Sequence, residues 1–405
     1  MKILFVNKFL YPRGGAETYM LKLGEYYKKA GHDVQYFGMY DEKNTVGNAS
    51  GLYTKNMNFH SKSLECLIYP FKIIYSREAY RKLRKLIGDW RPDIIHMNNI
   101  NFQLTPSIID AAYKMNVPVV QTIHDSQMVC PGHLLYRNGK TELCRLCVDG
   151  SKWNCMKNRC IHGSLAKSLI GSLEGYVYKY KRNYDKVALY ICPSKFMEEI
   201  ILSQKRFVGK TKVIHNFTEQ VQKDFGKKED YILFFGRLSV EKGLDIFLKV
   251  CKKIPEQKFK IAGDGPLASE CKGLPNVECL GMLTGECLQK TIAKAKLVLY
   301  PSICYENCPL SILEAISLGT PVISSSRGGS KELIEVGKTG DLITEPITAE
   351  KFIEKIEELK NSSDLIDEMI ERCRESRASI YSVESYGEKM ISLYQKVIKE
   401  KEKMS

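Results

Sequence analysis

The pattern that most constrains this chain is an alternation of short apolar runs with helical segments, which starts at Met1 and starts again near Tyr231. Met1 to Asn7 and Tyr231 to Gly236 resemble each other: each is a continuous apolar run, then a glycine-bearing loop, then a segment of helical periodicity. Short runs without polar alternation suit strands buried on both faces, and parallel neighbours of that kind need a crossover helix between them. Strands are expected at 3–6, 34–37, 94–97, 117–122 and 187–192 in the first half, and at 213–215, 232–235, 259–262, 277–280, 297–300, 321–324 and 342–344 in the second. The fold class is therefore α/β, with two Rossmann-like halves in tandem. A polar stretch, 216–230, reads as the linker between domains 1–215 and 231–380. The closing segment, 381–405, carries Tyr386, Met390, Tyr394 and Val397 on one helical stripe that needs a surface to bury it.

The chemistry concentrates at the ends of the expected strands. After 297–300 come Pro301-Ser302, then Tyr305-Glu306-Asn307-Cys308-Pro309-Leu310-Ser311-Ile312-Leu313-Glu314, then Gly319. Pro309 is placed to start a helix and Gly319 to end it. Glu306 in the loop and Glu314 in the helix can accept hydrogen bonds from sugar hydroxyls, while the helix start favours a phosphate. Gly236-Arg237-Leu238-Ser239-Val240-Glu241-Lys242-Gly243 follows the strand 232–235 and puts two cations at its carboxyl end, where open α/β sheets bind ligands and where a departing diphosphate needs positive charge. Gly263-Asp264-Gly265-Pro266 is a tight turn after another strand. In the first half, Gly14-Gly15 opens a helix near Glu17 and His124-Asp125 follows the strand 117–122. The full dinucleotide fingerprint is absent from the Gly14-Gly15 loop, and no Asp-x-Asp triad marks a metal-bridged diphosphate. Each element alone also has an ordinary reading as a turn, a surface charge or a structural histidine.

In order and spacing these elements resemble the family 4 glycosyltransferases, and the resemblance runs over nearly the whole chain. It implies the GT-B fold: two Rossmann-like domains facing across a cleft, an N-terminal acceptor domain, a C-terminal nucleotide-sugar domain, and a last helix packing back on the N-terminal domain. It implies a nucleotide-diphosphate sugar as donor, transfer with retention, and no metal in catalysis. By the same resemblance Arg237, Lys242, Glu306 and His124 are the catalytic candidates, and Gly14, Gly15, Gly236, Gly265, Pro309, Leu310 and Glu314 the donor contacts. Asn307 stands where the family often has glycine. The expected acceptor is a saccharide or lipid-linked saccharide of cell-surface polysaccharide or glycolipid synthesis. A silent nucleotide-sugar-binding protein and a GT-B epimerase are the rival readings.

Charge adds a location. Residues 1–205 hold 30 Lys and Arg against 17 Asp and Glu, and 206–405 hold 31 against 30, so the excess of positive charge lies in the first half. No nucleic-acid motif accompanies it. Residues 72–90 place Ile73, Tyr80, Leu83, Ile87 and Trp90 at helical spacing among Arg77, Arg81, Lys82, Arg84 and Lys85, a pattern that suits either an anionic membrane face or a core-facing stripe with a solvated back. The start of the chain is too short and interrupted for a secretory signal and no run of about eighteen apolar residues is found, so the expectation is a cytoplasmic protein, at the inner face of the membrane where the basic half meets lipid. The insertion 130–160 contains Cys130, Cys144, Cys147, Cys155 and Cys160. The C-x2-C spacing suggests a structural zinc on Cys144, Cys147, Cys155 and Cys160, with Cys130 as a substitute; free thiols and disulfides are the alternatives.

Overall fold

A computed structural model describes residues 1–56, 73–137, 143–219, 221, 223–377 and 380–404. Lys72 and residues 138–142 of the insertion lie outside this set. The strands are β1 Lys2–Val6, β2 Asp33–Phe37, β3 Ile94–Met97, β4 Val119–Thr122, β5 Leu189–Cys192, β6 Thr211–Val213, β7 Glu229–Phe235, β8 Phe259–Ala262, β9 Val277–Gly281, β10 Ala295–Tyr300, β11 Val322–Ser325 and β12 Gly340–Ile343. The helices are α1 Gly15–Lys29, α2 Arg77–Trp90, α3 Ser107–Lys114, α4 Trp153–Lys157, α5 Leu165–Lys181, α6 Lys195–Leu202, α7 Leu244–Lys253, α8 Gly285–Lys294, α9 Leu310–Ser317, α10 Ala349–Asn361, α11 Ser363–Ser376 and α12 Val383–Met404.

Two six-stranded sheets form, ordered β2-β1-β3-β4-β5-β6 and β12-β11-β10-β7-β8-β9, and every ladder in both is parallel. Strands β1, β3 and β4 are buried along nearly their whole length, which is why they read as unbroken apolar runs. The strand expected at 213–215, inside the first domain, is β6 at Thr211–Val213, the edge of the first sheet, pairing with Tyr190 to Cys192. A short apolar run does not say which sheet it joins.

The chain divides into two compact units. The first comprises Met1–Arg137, Cys144–His215 and Val383–Ser405; the second is built on Asn216–Ser382. The segment 216–230, expected as the linker, falls within the second unit in this division. The Asn216 amide donates to the Cys308 carbonyl, the Thr218 N–H to the Tyr381 carbonyl, and Arg377 to the Val221 carbonyl. Such contacts satisfy a polar backbone without regular structure.

Helix α12 returns to the first unit. Tyr386, Met390 and Tyr394 are wholly buried there. Tyr394 OH meets His96 Nδ1 at 2.5 Å, Tyr386 OH meets Tyr19 OH at 2.9 Å, and Tyr27 OH donates to the Gly387 carbonyl. A Cβ on Gly387 would stand 2.3 Å from the Tyr26 ring, so the absence of a side chain permits this packing.

Helix α2 begins at Ser76, whose side chain accepts from the Ala79 N–H, and buries Ala79, Leu83, Leu86 and Ile87. The apolar stripe considered for a membrane thus faces the core, with Arg81, Arg84 and Lys85 exposed behind it. No described helix is long and apolar enough to cross a membrane.

Candidate active site

In the second sheet the strand order reverses at β7, which lies between β10 and β8. A crevice opens outside the carboxyl ends at such a reversal. Gly236 leaves β7 at φ +132° and Gly263 leaves β8 at φ +147°, conformations that side-chain-bearing residues avoid. A Cβ on Gly263 would stand 1.9 Å from the Gly236 carbonyl oxygen, and one on Gly265 would stand 2.4 Å from that of Leu238. The two loops are packed backbone to backbone, with the Gly236 N–H on the Ala262 carbonyl and the Leu238 N–H on that of Asp264. Arg237 projects from this platform and is exposed.

A single turn, Val240–Lys242, and Gly243 at φ +74° lead into α7. Gly243 lies so close to the Pro301 carbonyl that a Cβ would come within 1.9 Å of it. This approach brings Lys242 to the loop after β10. Its Nζ donates to Glu306 Oε1 at 2.6 Å and to Tyr300 OH at 3.3 Å, and Ser302 Oγ donates to the same carboxylate oxygen at 2.8 Å. Burial works against the lysine's charge, but Glu306 and then Tyr300 outweigh it and hold the pKa above the ordinary lysine value.

The Glu306 loop is held from behind by the loop after β11. The Gly329 N–H donates to the Glu306 carbonyl at 2.7 Å, and Gly328, at φ +59°, packs so tightly that a Cβ would lie 2.2 Å from the same oxygen. Arg327 is buried, donates to the Ile303 carbonyl, pairs with Glu345 at 2.5 Å and lies over the Tyr305 ring. Pro309 caps α9 without any side-chain cap, and the amide groups of Leu310 and Ser311, ahead of the first helix bond from Ile312 to the Pro309 carbonyl, have no intrahelical acceptor. This helix start adjoins Gly236, where a Cβ would meet Ser311 Oγ at 3.9 Å. Glu314 is half-buried on the same helix, one turn after Leu310 and on its face.

The second unit thus gathers Gly236, Arg237, Lys242, Gly265, Glu306, Pro309, Leu310 and Glu314 at one sheet edge. The first unit carries the remaining candidates at the matching edge of its own sheet. Gly14 precedes α1 in extended backbone and Gly15 is its first residue. Glu17, buried in that first turn, accepts from Asn7 Nδ2 at 3.1 Å, so a carboxylate already stands beside the glycine pair. His124, just beyond β4, contacts the Tyr19 ring and pairs through Nε2 with Asn98 Oδ1 at 2.9 Å. Burial pushes its pKa down to about 4, with Asp125 opposing, so the ring is neutral near pH 7. With Nε2–H donating to Asn98, Nδ1 remains an acceptor.

Tyr300, Ser302, Arg327 and Asn98 were not among the residues singled out for roles. Ser302 and Tyr300 lie inside the segment that carried the signal. Arg327 directly precedes Gly328-Gly329, yet only the fold shows that it reaches back to the Glu306 loop.

The sequence profile of Glycosyltransferase Family 4 matches residues 13–219, more than half of the chain, and that of Glycosyl transferases group 1 matches 216–376. The chain belongs to glycosyltransferase family 4. Among relatives, this glycosyltransferase is 26% identical over 357 residues to an uncharacterized 42.6 kDa protein in the cps region of Klebsiella pneumoniae, covering 83% of this chain and 88% of the relative. It is 26% identical over 177 residues to the alpha-D-kanosaminyltransferase of Streptomyces kanamyceticus, covering 41% and 45%. Among solved structures, Anabaena HepE in complex with UDP superposes with a TM-score of 0.69 at 18% identity, covering 98% of this chain and all of that one, which establishes the GT-B fold.

The metal expectation for this glycosyltransferase needs correction. Cys130, Cys144, Cys147, Cys155 and Cys160 are free and line one small pocket. The thiols of Cys130 and Cys147 interact with each other, and so do those of Cys155 and Cys160. Among the described residues no three His, Cys, Asp or Glu side chains are set to hold a metal ion. The charge beside these thiols belongs to Lys152, which is buried and donates to the carbonyls of Val129 and Cys147.

Proposed function

We propose that this glycosyltransferase moves a sugar from a nucleoside-diphosphate sugar to a saccharide or lipid-linked saccharide, with retention and without a catalytic metal, in cell-surface polysaccharide or glycolipid synthesis. The observation that carries the reading is the Lys242–Glu306 pair at the carboxyl edge of β7 and β10. A lysine kept charged beside a helix start with free amide groups suits a diphosphate, and a carboxylate next to it suits sugar hydroxyls. HepE, a fold neighbour, is described in complex with UDP-glucose, and a relative in Salmonella typhimurium carries the name "Putative colanic acid biosynthesis glycosyltransferase WcaL".

In this reading the donor diphosphate takes Lys242 and Arg237 as partners and rests on the amide groups of Leu310 and Ser311. Glu314 accepts from the ribose and Glu306 from the donor sugar. As the bond from the sugar carbon to the diphosphate breaks, the pair of electrons leaves with the phosphate and the two cations stabilise it. The acceptor hydroxyl enters from the same face, its proton passing to the departing phosphate oxygen. Neutral His124 accepts a hydrogen bond from a sugar hydroxyl. Because Arg237 and Lys242 supply the positive charge, transfer is expected to persist after divalent ions are chelated. The basic first half supports work at the cytoplasmic membrane face.

The test is melting-temperature screening against uridine, guanosine and adenosine diphosphate sugars, followed by transfer with the stabilising donor and candidate acceptors. Stabilisation by one donor class with a glycosylated product is the expected result. Donor binding with no product in any acceptor panel would favour a silent nucleotide-sugar sensor, and an isomerised sugar would favour an epimerase.

A further inference from the structure

Helix α5 is built inside out. Its buried face is Ser168, Gly171, Ser172, Glu174 and Tyr178, mostly small or polar. Its leucines point outward: Leu165, Leu169 and Leu173 are 52%, 37% and 38% exposed, and Tyr180 is 91% exposed. Spaced by four, the three leucines form one stripe, and Tyr176 and Tyr180 continue it. Trp153 of α4, 37% exposed, packs its ring 5.4 Å from that of Tyr176 and extends the patch. The inward face has reasons of its own. A Cβ on Gly171 would stand 2.5 Å from Ile161, and Ser172 Oγ donates to the Lys152 carbonyl at 2.8 Å.

The charge around the stripe has one sign. Residues 151–182 include seven Lys and Arg and one acidic residue, Glu174, which is buried. Lys157, Arg159, Lys167, Lys179 and Lys181 are all exposed. An apolar stripe flanked by lysines, with no exposed carboxylate within residues 151–182, is the composition of a helix that lies in the surface of an anionic bilayer. A second copy of the same face would bring like charges together, which disfavours self-association through it.

We propose that the α4–α5 face, centred on Leu165, Leu169, Leu173 and Trp153, docks this protein on an anionic lipid surface. The proposal rests on the membrane-face reading above and assigns its surface to α5 in place of the basic helix α2. Leucines enter the headgroup boundary, and the flanking lysines neutralise lipid charge.

The test is sedimentation of the full chain with phosphatidylcholine vesicles, with and without phosphatidylglycerol. Wild type is expected to bind only the anionic vesicles and to release as salt rises. Leu169→Glu with Leu173→Glu should weaken binding on the order of tenfold or more, while Arg81→Gln with Arg84→Gln and Lys85→Gln changes it less. Trp153, followed in a Trp90→Phe background, should shift its emission to shorter wavelength on anionic vesicles alone, a readout that needs no folded double variant. If wild type ignores anionic vesicles, the membrane reading falls. If wild type binds but Trp153 emission is unmoved and the leucine variant, with native melting, binds equally, the α5 assignment falls and the membrane reading stands. Concentration-dependent self-association abolished by the leucine variant, without lipid binding, would overturn the proposal in favour of a protein interface.

Discussion

Lys242 stays charged in a half-buried position because Glu306 and Tyr300 face it, and the same contacts tell what its loss would do. Lys242→Ala should lower transfer by on the order of 10²-fold or more, as for removal of a charge-stabilising donor, and Arg237→Ala should act in the same direction. A folded variant of either kind with near-wild-type turnover would remove it from the diphosphate. Glu314→Ala is expected to weaken donor binding; unchanged affinity in a donor titration would free Glu314 from the ribose. Away from the site, burial raises the pKa of Glu174 to about 8, and its Oε1 has no hydrogen-bond partner among the described atoms. The folded state therefore holds a proton there between the ordinary carboxylate pKa and about 8 while the unfolded chain does not, so stability falls as pH rises through that window. Glu174→Gln should stabilise the fold at pH 8 by on the order of 4 kcal/mol, read as a higher melting temperature, and give little at pH 4.5. A gain independent of pH would mean that packing, not ionisation, sets the effect. The glycines and charged residues at strand ends were legible because their spacing is local in sequence. Arg327 was not, since it reaches Ile303 from the loop after the neighbouring strand, with α9 and β11 between them in sequence.

At the scale of elements, buried parallel strands were the most readable feature, because burial on both faces leaves continuous apolar runs such as 3–6 and 232–235. The sheet that a short run joins is a tertiary matter. Residues 216–230 read as a linker because they are polar; Asn216 and Thr218 are tied to distant carbonyls, which composition does not record. Helices α2 and α5 make the same point in opposite senses. The first has the amphipathic pattern, and its apolar face is core; the second has a mixed pattern, and its leucines are outside.

At the scale of the whole molecule, the chain builds its first unit, then the second, and then returns, so the first unit is completed only by α12. The helix supplies four large side chains, Tyr386, Met390, Tyr394 and Val397, at 5% exposure or less. At roughly 1.5–3 kcal/mol for each fully buried apolar side chain, their combined burial is comparable with the ordinary net stability of a domain. Their hydroxyls are committed as well: Tyr394 to His96, and Tyr386 to Tyr19, which itself meets Thr122. His96 is fully buried and burial pushes its pKa down to about 3, so in the folded protein it stays neutral and depends on such partners for its hydrogen bonds. Substituting Tyr386→Ala and Tyr394→Ala together in the full chain would leave cavities where α12 packs on α1 and β3, and remove one hydrogen-bond partner from each of His96 and Tyr19. The second unit has its own cores, around Phe247, Phe259 and Phe352 on one side of its sheet and Ile312, Ala315 and Val322 on the other, and none of these residues belongs to α12. Hydrogen exchange on the double variant is therefore expected to show early loss of amide protection in β1, β3 and β4, with protection in β7, β8 and β10 close to wild type. Equal loss in both sheets would mean that the two units unfold as one cooperative body, and equal retention would mean that α12 contributes little to the core it covers.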